Sequence, residues 1–425
     1  MSSPTGGTGD GGTGDGGTGD GGANRATAFA AGAGGLVLAA LLLVALNLRA
    51  PLTALAPVID QVAAGLGMSS AGVALLTSIP VLTFAVCTPA SAVLVGRWGP
   101  ERALVVGLLA ILVGTLLRSS GSVGAALVGT AVLGIGITLG NVSVPVIITR
   151  DFRRRAAGVT GAYTATMNAG STLTTVFTVP LAVAFGWQWA LAGWGVLAAV
   201  ALVAWVPAGR SLARRHDGVP TSDTRAQERQ RATAQRGLAV LLAIAFAGHT
   251  AGYYAMSTWL PTILADRLGF DAATAGSGAA PFQLAAVVGA FLVPLGLTGR
   301  LSERTVATVQ CVLWLTLPVA LLLVPQLWWV GVGLAGAAQG GIFAVIFTLV
   351  ARRSPSVATA RRTSAVVQTG GYACGATAPI ALGAVYEATG GWTAPLALLT
   401  ALLVAMTVAL WLAAGPPRVA TAPSR

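Results

Sequence analysis

Residues 92–118 read AVLVGRWGPERALVVGLLAILVGTLLR. One apolar run ends at Val95, a turn from Gly96 to Arg102 carries two arginines, and a second apolar run follows without a charge until Arg118. Roughly twenty apolar residues are what an α-helix needs to cross a hydrocarbon core. Two such runs joined by a short basic turn therefore read as two membrane helices meeting at one face of a bilayer. The turn, Gly96-Arg97-Trp98-Gly99-Pro100-Glu101-Arg102, recurs later as Gly299-Arg300-Leu301-Ser302-Glu303-Arg304.

The rest of the chain repeats this grammar. Of 425 residues, 55% are hydrophobic and only 9% charged, with a mean hydropathy of +0.78. A soluble domain carries about 25% charged residues, so this surface is not built for water. The short alternating segments of a transmembrane barrel are not visible. Apolar runs between Gly, Pro and charge breaks give twelve expected spans. They lie at 28–58, 70–95, 101–118, 123–148, 156–184 and 187–208, then at 237–265, 271–297, 305–324, 327–350, 363–386 and 392–414. Ser69 and Asp271 read as N-caps of the second and eighth.

The net charge is +12, and every basic residue is Arg. Of the 25, all but Arg49, Arg118 and Arg267 fall in segments on one side of the expected membrane. By the positive-inside rule that side is cytoplasmic, with both termini on it, and Arg118 and Arg267 belong to outer loops. The basic charge therefore orients the chain in the cell inner membrane and does not point to nucleic acid. Cys87, Cys311 and Cys374 lie in apolar runs without metal-ligand spacing and read as small buried hydrophobes.

An internal repeat divides the chain. The Arg-rich loop at 150–155 has a counterpart at 352–362, Gly186-Trp187 matches Gly391-Trp392, and Pro80 matches Pro281. Each half holds an even number of spans, so both halves share one orientation. The expected organisation is a disordered cytoplasmic Gly-rich tail (1–26), a six-helix bundle (27–208), a cytoplasmic linker loop (209–236), a second six-helix bundle (237–414) and a short cytoplasmic tail (415–425). The first tail repeats Gly6-Gly7-Thr8-Gly9-Asp10 through Asp20, and has nothing apolar with which to fold.

These features resemble the major facilitator superfamily over roughly 27–414. The basic turn after the second span is similar to a degenerate form of its G-x-x-x-D-R-x-G-R-R signature, without a recognisable Asp. Several strings resemble the branch that includes cyanate and 2-nitroimidazole transporters: Asn47-Leu48-Arg49-Ala50-Pro51-Leu52-Thr53, Gly140-Asn141, Arg150-Asp151-Phe152, Gly186-Trp187-Gln188-Trp189-Ala190, Trp259-Leu260-Pro261, Gln339-Gly340-Gly341 and Gly390-Gly391-Trp392. The resemblance implies an all-α membrane protein with twelve transmembrane helices in two parallel six-helix bundles. It implies a permease that moves a small anionic or polar solute by alternating access. It also places gating loops at Arg97, Arg102, Arg300 and Arg304.

Polar residues within the spans indicate where a solute would bind. A charge at the bilayer centre costs about 2.5–3.5 kcal/mol on insertion scales, so Arg49 asks for a reason. Either Arg49 faces a central cavity, with Pro51 kinking the helix beside it, or it snorkels to the outer headgroups. No Asp or Glu lies deep in any span, so an anionic or hydrogen-bond-accepting solute would complete the charge. His249 is the other deep ionisable group, with Tyr253 and Met256 on the same helical face, and reads either as a proton carrier or as a neutral packing residue. Span 5 carries a stripe at Thr160, Thr164, Asn168, Thr172 and Thr175, and span 11 a matching one at Ser364, Gln368 and Tyr372. The expected binding set is Arg49, Asn47, Asn168, Tyr253, Gln368, Tyr372 and Gln283, with Asn141 on similar grounds, each weighed against interhelical hydrogen bonding.

Gly134-Ile135-Gly136 with Gly140 is a glycine-rich string without a preceding strand, and reads as close helix packing rather than a dinucleotide loop. No P-loop, metal-ligand set or nucleophile–base pair stands out, so no cofactor is expected and an intramembrane enzyme is disfavoured. The remaining rival is an exporter of drug-like molecules. A monomer embedded in the bilayer, moving its solute with or without protons, is the expected working form.

Overall fold

The computed structural model describes residues 35–68, 70–216, 225–298 and 301–415. The chain is all-helical along these stretches. In the first half the helices are α1 (Gly35–Leu66), α2 (Ser70–Trp98), α3 (Pro100–Arg118), α4 (Val123–Asp151), α5 (Ala156–Phe185) and α6 (Trp187–Gly193 and Gly195–His216). In the second half they are α7 (Arg225–Leu268), α8 (Ala272–Thr298), α9 (Glu303–Leu323), α10 (Trp328–Arg353), α11 (Val357–Thr389) and α12 (Thr393–Ala413).

Eleven of these are long and apolar enough to cross a membrane. α11, with 33 residues, is long enough but too polar, because Arg361, Arg362, Ser364, Gln368 and Tyr372 all sit on it. Its Ser364, Gln368 and Tyr372 are buried, the helix packing against α7 on one side and α2 on the other, while Val366 and Ile380 are exposed. Large apolar side chains such as Val86, Val183, Val203 and Leu323 are exposed around the girth. That is the surface of a protein solvated by lipid.

The turns follow from local chemistry. Gly99 adopts φ +83 and Pro100 opens α3, where its missing N–H is one of the unpaired donors anyway. Gly186, also at φ +83, plays the same part before Trp187. Ser302 and Ser356 cap α9 and α11 by accepting from Thr305 N and Thr359 N. Asp271 accepts from Thr274 N at 2.8 Å and so caps α8. Ser69, the two tails and Arg300 lie outside the described residues.

The halves pack alike. α3 lies on α4 as α9 lies on α10, α2 on α4 as α8 on α10, and α3 on α6 as α9 on α12. Between the halves, α2 meets α11 and α8 meets α5, which are equivalent pairs exchanged by the repeat. Glycines bring α3 and α4 close: a Cβ on Gly114 would press on the Gly129 carbonyl, and one on Gly107 on the Gly136 carbonyl. Gly136 is thus a packing residue, as its sequence setting suggested. The stretch 209–236 is less of a loop than its polarity suggests. α6 runs on to His216 and α7 starts at Arg225, because Arg, Ala and Gln are strong helix formers wherever nothing else decides.

Candidate functional site

α1 is broken in its middle. Its helix runs over 35–47, turns at Leu48 and Arg49, and resumes as Ala50–Thr53. Pro51 has no N–H to offer the Asn47 carbonyl, so the ladder cannot pass this point. Arg49 therefore sits outside helical geometry, at φ −129 and ψ −36. The continuation is tied to α5, where Thr53 Oγ1 lies 2.9 Å from Thr174 Oγ1.

The break turns the Arg49 side chain inward. Its Nη1 donates to Asn168 Oδ1 on α5 at 2.6 Å, and its guanidinium lies over the Tyr253 ring on α7, 4.8 Å from the centroid. Asn168 is oriented in turn by donating to the Ala286 carbonyl of α8 at 3.4 Å. One cation thus joins α1 and α5 of the first half to α7 of the second.

Arg49 lines a cavity of about 440 Å³ between the halves, which Tyr253, Tyr372, Gln283, His249, Asn141 and Arg118 also line. Phe84, Phe246 and Phe343 form an aromatic wall around Tyr372, with Phe84 at 5.1 Å and Phe246 at 5.4 Å between ring centroids. Gln283 donates to Ser257 Oγ at 3.1 Å and to Tyr253 Oη at 3.4 Å. His249 is buried beside Phe246, and its Nδ1 has no hydrogen-bond partner. No Asp or Glu is among the lining residues.

Three of the expected residues lie elsewhere. Asn47 is fully buried and donates to the Leu43 and Leu197 carbonyls, at 2.9 and 3.1 Å; it faces α6, away from the cavity. Gln368 donates to the Asn141 carbonyl at 3.2 Å behind the cavity wall. Asn168 reaches the cavity only through Arg49. The two polar stripes do not converge as symmetry suggested. Thr164 bonds within its own helix and Ser364 is buried, so of the two stripes Thr172, Thr175 and Tyr372 line the space.

One cation of the site is not among the expected residues, and one expected on weaker grounds lies at its floor. Arg118, read as an outer-loop charge, is 2% exposed and donates from Nη1 to the Pro51 carbonyl at 2.8 Å. Its signal was present, since it breaks the one-sided arginine pattern. Asn141 knots the cavity floor, donating to Tyr372 Oη at 3.3 Å and accepting from Tyr163 Oη at 3.4 Å.

On the arginine-rich side, ion pairs close each half. Arg150 pairs with Glu101 and Asp151, and Glu303 pairs with Arg352 at 3.1 Å and Arg353 at 2.8 Å. Arg153 donates across the halves to the Ser354 carbonyl at 3.0 Å. Arg97 and Arg102 are exposed. Arg304 stacks on Trp411, 3.7 Å from the ring centroid, which fixes it to α12. The pairs at Glu101 and Glu303, together with the Arg304 contact to Trp411, join helix ends there.

Two six-helix halves around a cation-bearing cavity are the architecture of a multi-pass membrane transporter of the secondary type. The chain belongs to the Major Facilitator Superfamily, whose profile matches residues 37–327. It is 34% identical over 366 residues to the 2-nitroimidazole transporter of Escherichia coli (strain K12), covering 85% of this chain and 90% of that protein. It is 30% identical over 367 residues to the cyanate transport protein CynX of the same organism, covering 84% and 91%. Its fold is similar to that of the proton:xylose symporter XylE, with a TM-score of 0.71 at 12% identity, covering 90% of this chain and 96% of that one.

Proposed function

We propose that this transporter carries a small anionic or polar solute, of cyanate-like or nitroimidazole-like chemistry, across the cell inner membrane by alternating access. The observation that supports this is an arginine in the cavity wall whose partners are an amide oxygen and a ring, in a space lined by no carboxylate. A half-buried cation without a counter-ion favours a ligand that supplies one. Arg49 holds the charged or hydrogen-bond-accepting end, while Phe84, Phe246 and Tyr372 face the remainder. Tyr253 and Gln283 form the wall on the side of the second half, and Asn168 sets the direction of Arg49.

The arginine-rich side faces the cytoplasm in this reading, with the 209–236 segment and both tails on it. The contacts closing that side leave the cavity directed outward. The candidate for a coupling proton is His249, whose Nδ1 is unpartnered at the cavity wall. The chain works as a monomer, the two halves of one molecule supplying both sides of the site. A second reading, an exporter of small drug-like molecules, rests on the aromatic wall. Counterflow in proteoliposomes with cyanate and 2-nitroimidazole, beside neutral apolar drugs, separates them. Saturable cyanate or 2-nitroimidazole exchange supports the first reading, and exchange of the apolar drugs alone contradicts it.

A further inference from the structure

Arg118 closes α3 and is fully enclosed, yet only Nη1 is occupied, by the Pro51 carbonyl. Its Nε and Nη2 have no hydrogen-bond partner, and no carboxylate among the described residues pairs with it. Guanidinium donors buried without acceptors are costly, and acceptors brought by a ligand would relieve that cost. The side chain lines the same cavity as Arg49, as do Leu52 and Leu55 of the broken helix. The two unpaired groups form one edge of the guanidinium, the edge that grips two oxygens of one planar group at once.

We infer that Arg118 is a second ligand-binding group of this cavity, taking a planar group with two acceptor oxygens, of carboxylate or nitro type, through Nε and Nη2. Nη1 meanwhile keeps its bond to Pro51, so the helix break that presents Arg49 also fixes Arg118. The two arginines then divide the work: Arg49 supplies charge to any small anion, and Arg118 selects for a two-oxygen end. This deepens the anion reading above and rests on it for the class of ligand.

The test compares nitrite with thiocyanate, a linear anion without paired oxygens, by equilibrium binding to purified protein. Arg118→Lys keeps the charge but removes the two-donor edge. It is expected to weaken nitrite about tenfold or more relative to wild type, with thiocyanate nearly unchanged. Equal affinities of wild type and Arg118→Lys for nitrite, with binding of both anions lost in Arg49→Gln, overturn the inference and leave the Arg49 reading standing. Selective nitrite loss in Arg118→Lys with normal binding in Arg49→Gln supports the inference and overturns that reading. Should Arg118→Lys fail to fold, wild type diffraction data with 4-bromobenzoate decide. An anomalous bromine peak that places the carboxylate on the Arg118 edge supports the inference, and a carboxylate placed elsewhere, or no peak, overturns it.

Discussion

The guanidinium of Arg49 lies over the ring of Tyr253, 4.8 Å from its centroid, and so links the first helix of one half to the first helix of the other. Equivalent helices of a repeat meet here through unlike residues, a cation on one and a ring on the other. Anything that pairs with Arg49 acts on both halves at once. In an alternating-access protein that is where a solute has most leverage on the position of one half relative to the other.

The ring, rather than the hydroxyl, is the part of Tyr253 that matters in this account. A desolvated cation–π contact contributes about 0.5–2 kcal/mol. Tyr253→Leu is expected to weaken substrate binding about threefold or more, while Tyr253→Phe stays within about twofold of wild type. Titration of purified variants reads both, and equal losses in the two would shift the role to the hydroxyl and its 3.4 Å contact with Gln283.

Asn168 holds Arg49 with an uncharged oxygen at 2.6 Å. Replacing it with Asp would put a permanent counter-charge where the anion is expected to act. Asn168→Asp should therefore lower anion affinity about tenfold or more while keeping or raising thermal stability. Asn168→Ala should retain measurable binding. Wild-type anion affinity in Asn168→Asp would contradict an electrostatic role for Arg49.

His249 is tested through pH. His249→Gln keeps the side chain polar but cannot carry a proton, so binding should survive while the pH dependence of accumulation flattens. A profile identical to wild type would assign His249 to packing against Phe246, whose ring centroid lies 6.0 Å away.

Much of the architecture was readable because the bilayer imposes it. Run length, the arginine asymmetry and the paired turns at Gly96 and Gly299 need no tertiary information. The Asp271 cap and the packing role of Gly136 were equally local. The site was only partly readable, since a polar residue on a buried helix declares itself without declaring its direction. Asn47 turns to α6, Gln368 to the Asn141 carbonyl, and Tyr372 to the cavity, although all three looked alike in sequence. Arg118 was misplaced for a related reason. It stands at the end of an apolar run, where a loop charge and a buried one have the same spacing, and the closeness of Gly129 to its backbone N is a contact between helices. The polarity of α11 and the helical continuation of α6 to His216 and of α7 from Arg225 likewise depend on what neighbours cover or leave free.

Whether Arg49 is the charge the substrate answers is decided by ligand-induced thermal stabilisation of purified wild type, Arg49→Lys and Arg49→Gln over a series of small anions. Arg49→Lys keeps the charge without the planar fork and should bind measurably more weakly. Arg49→Gln should insert and fold at least as well as wild type, because a charge within a membrane span is removed, yet show no stabilisation by anions. Equal anion affinity in Arg49→Gln and wild type would contradict the account.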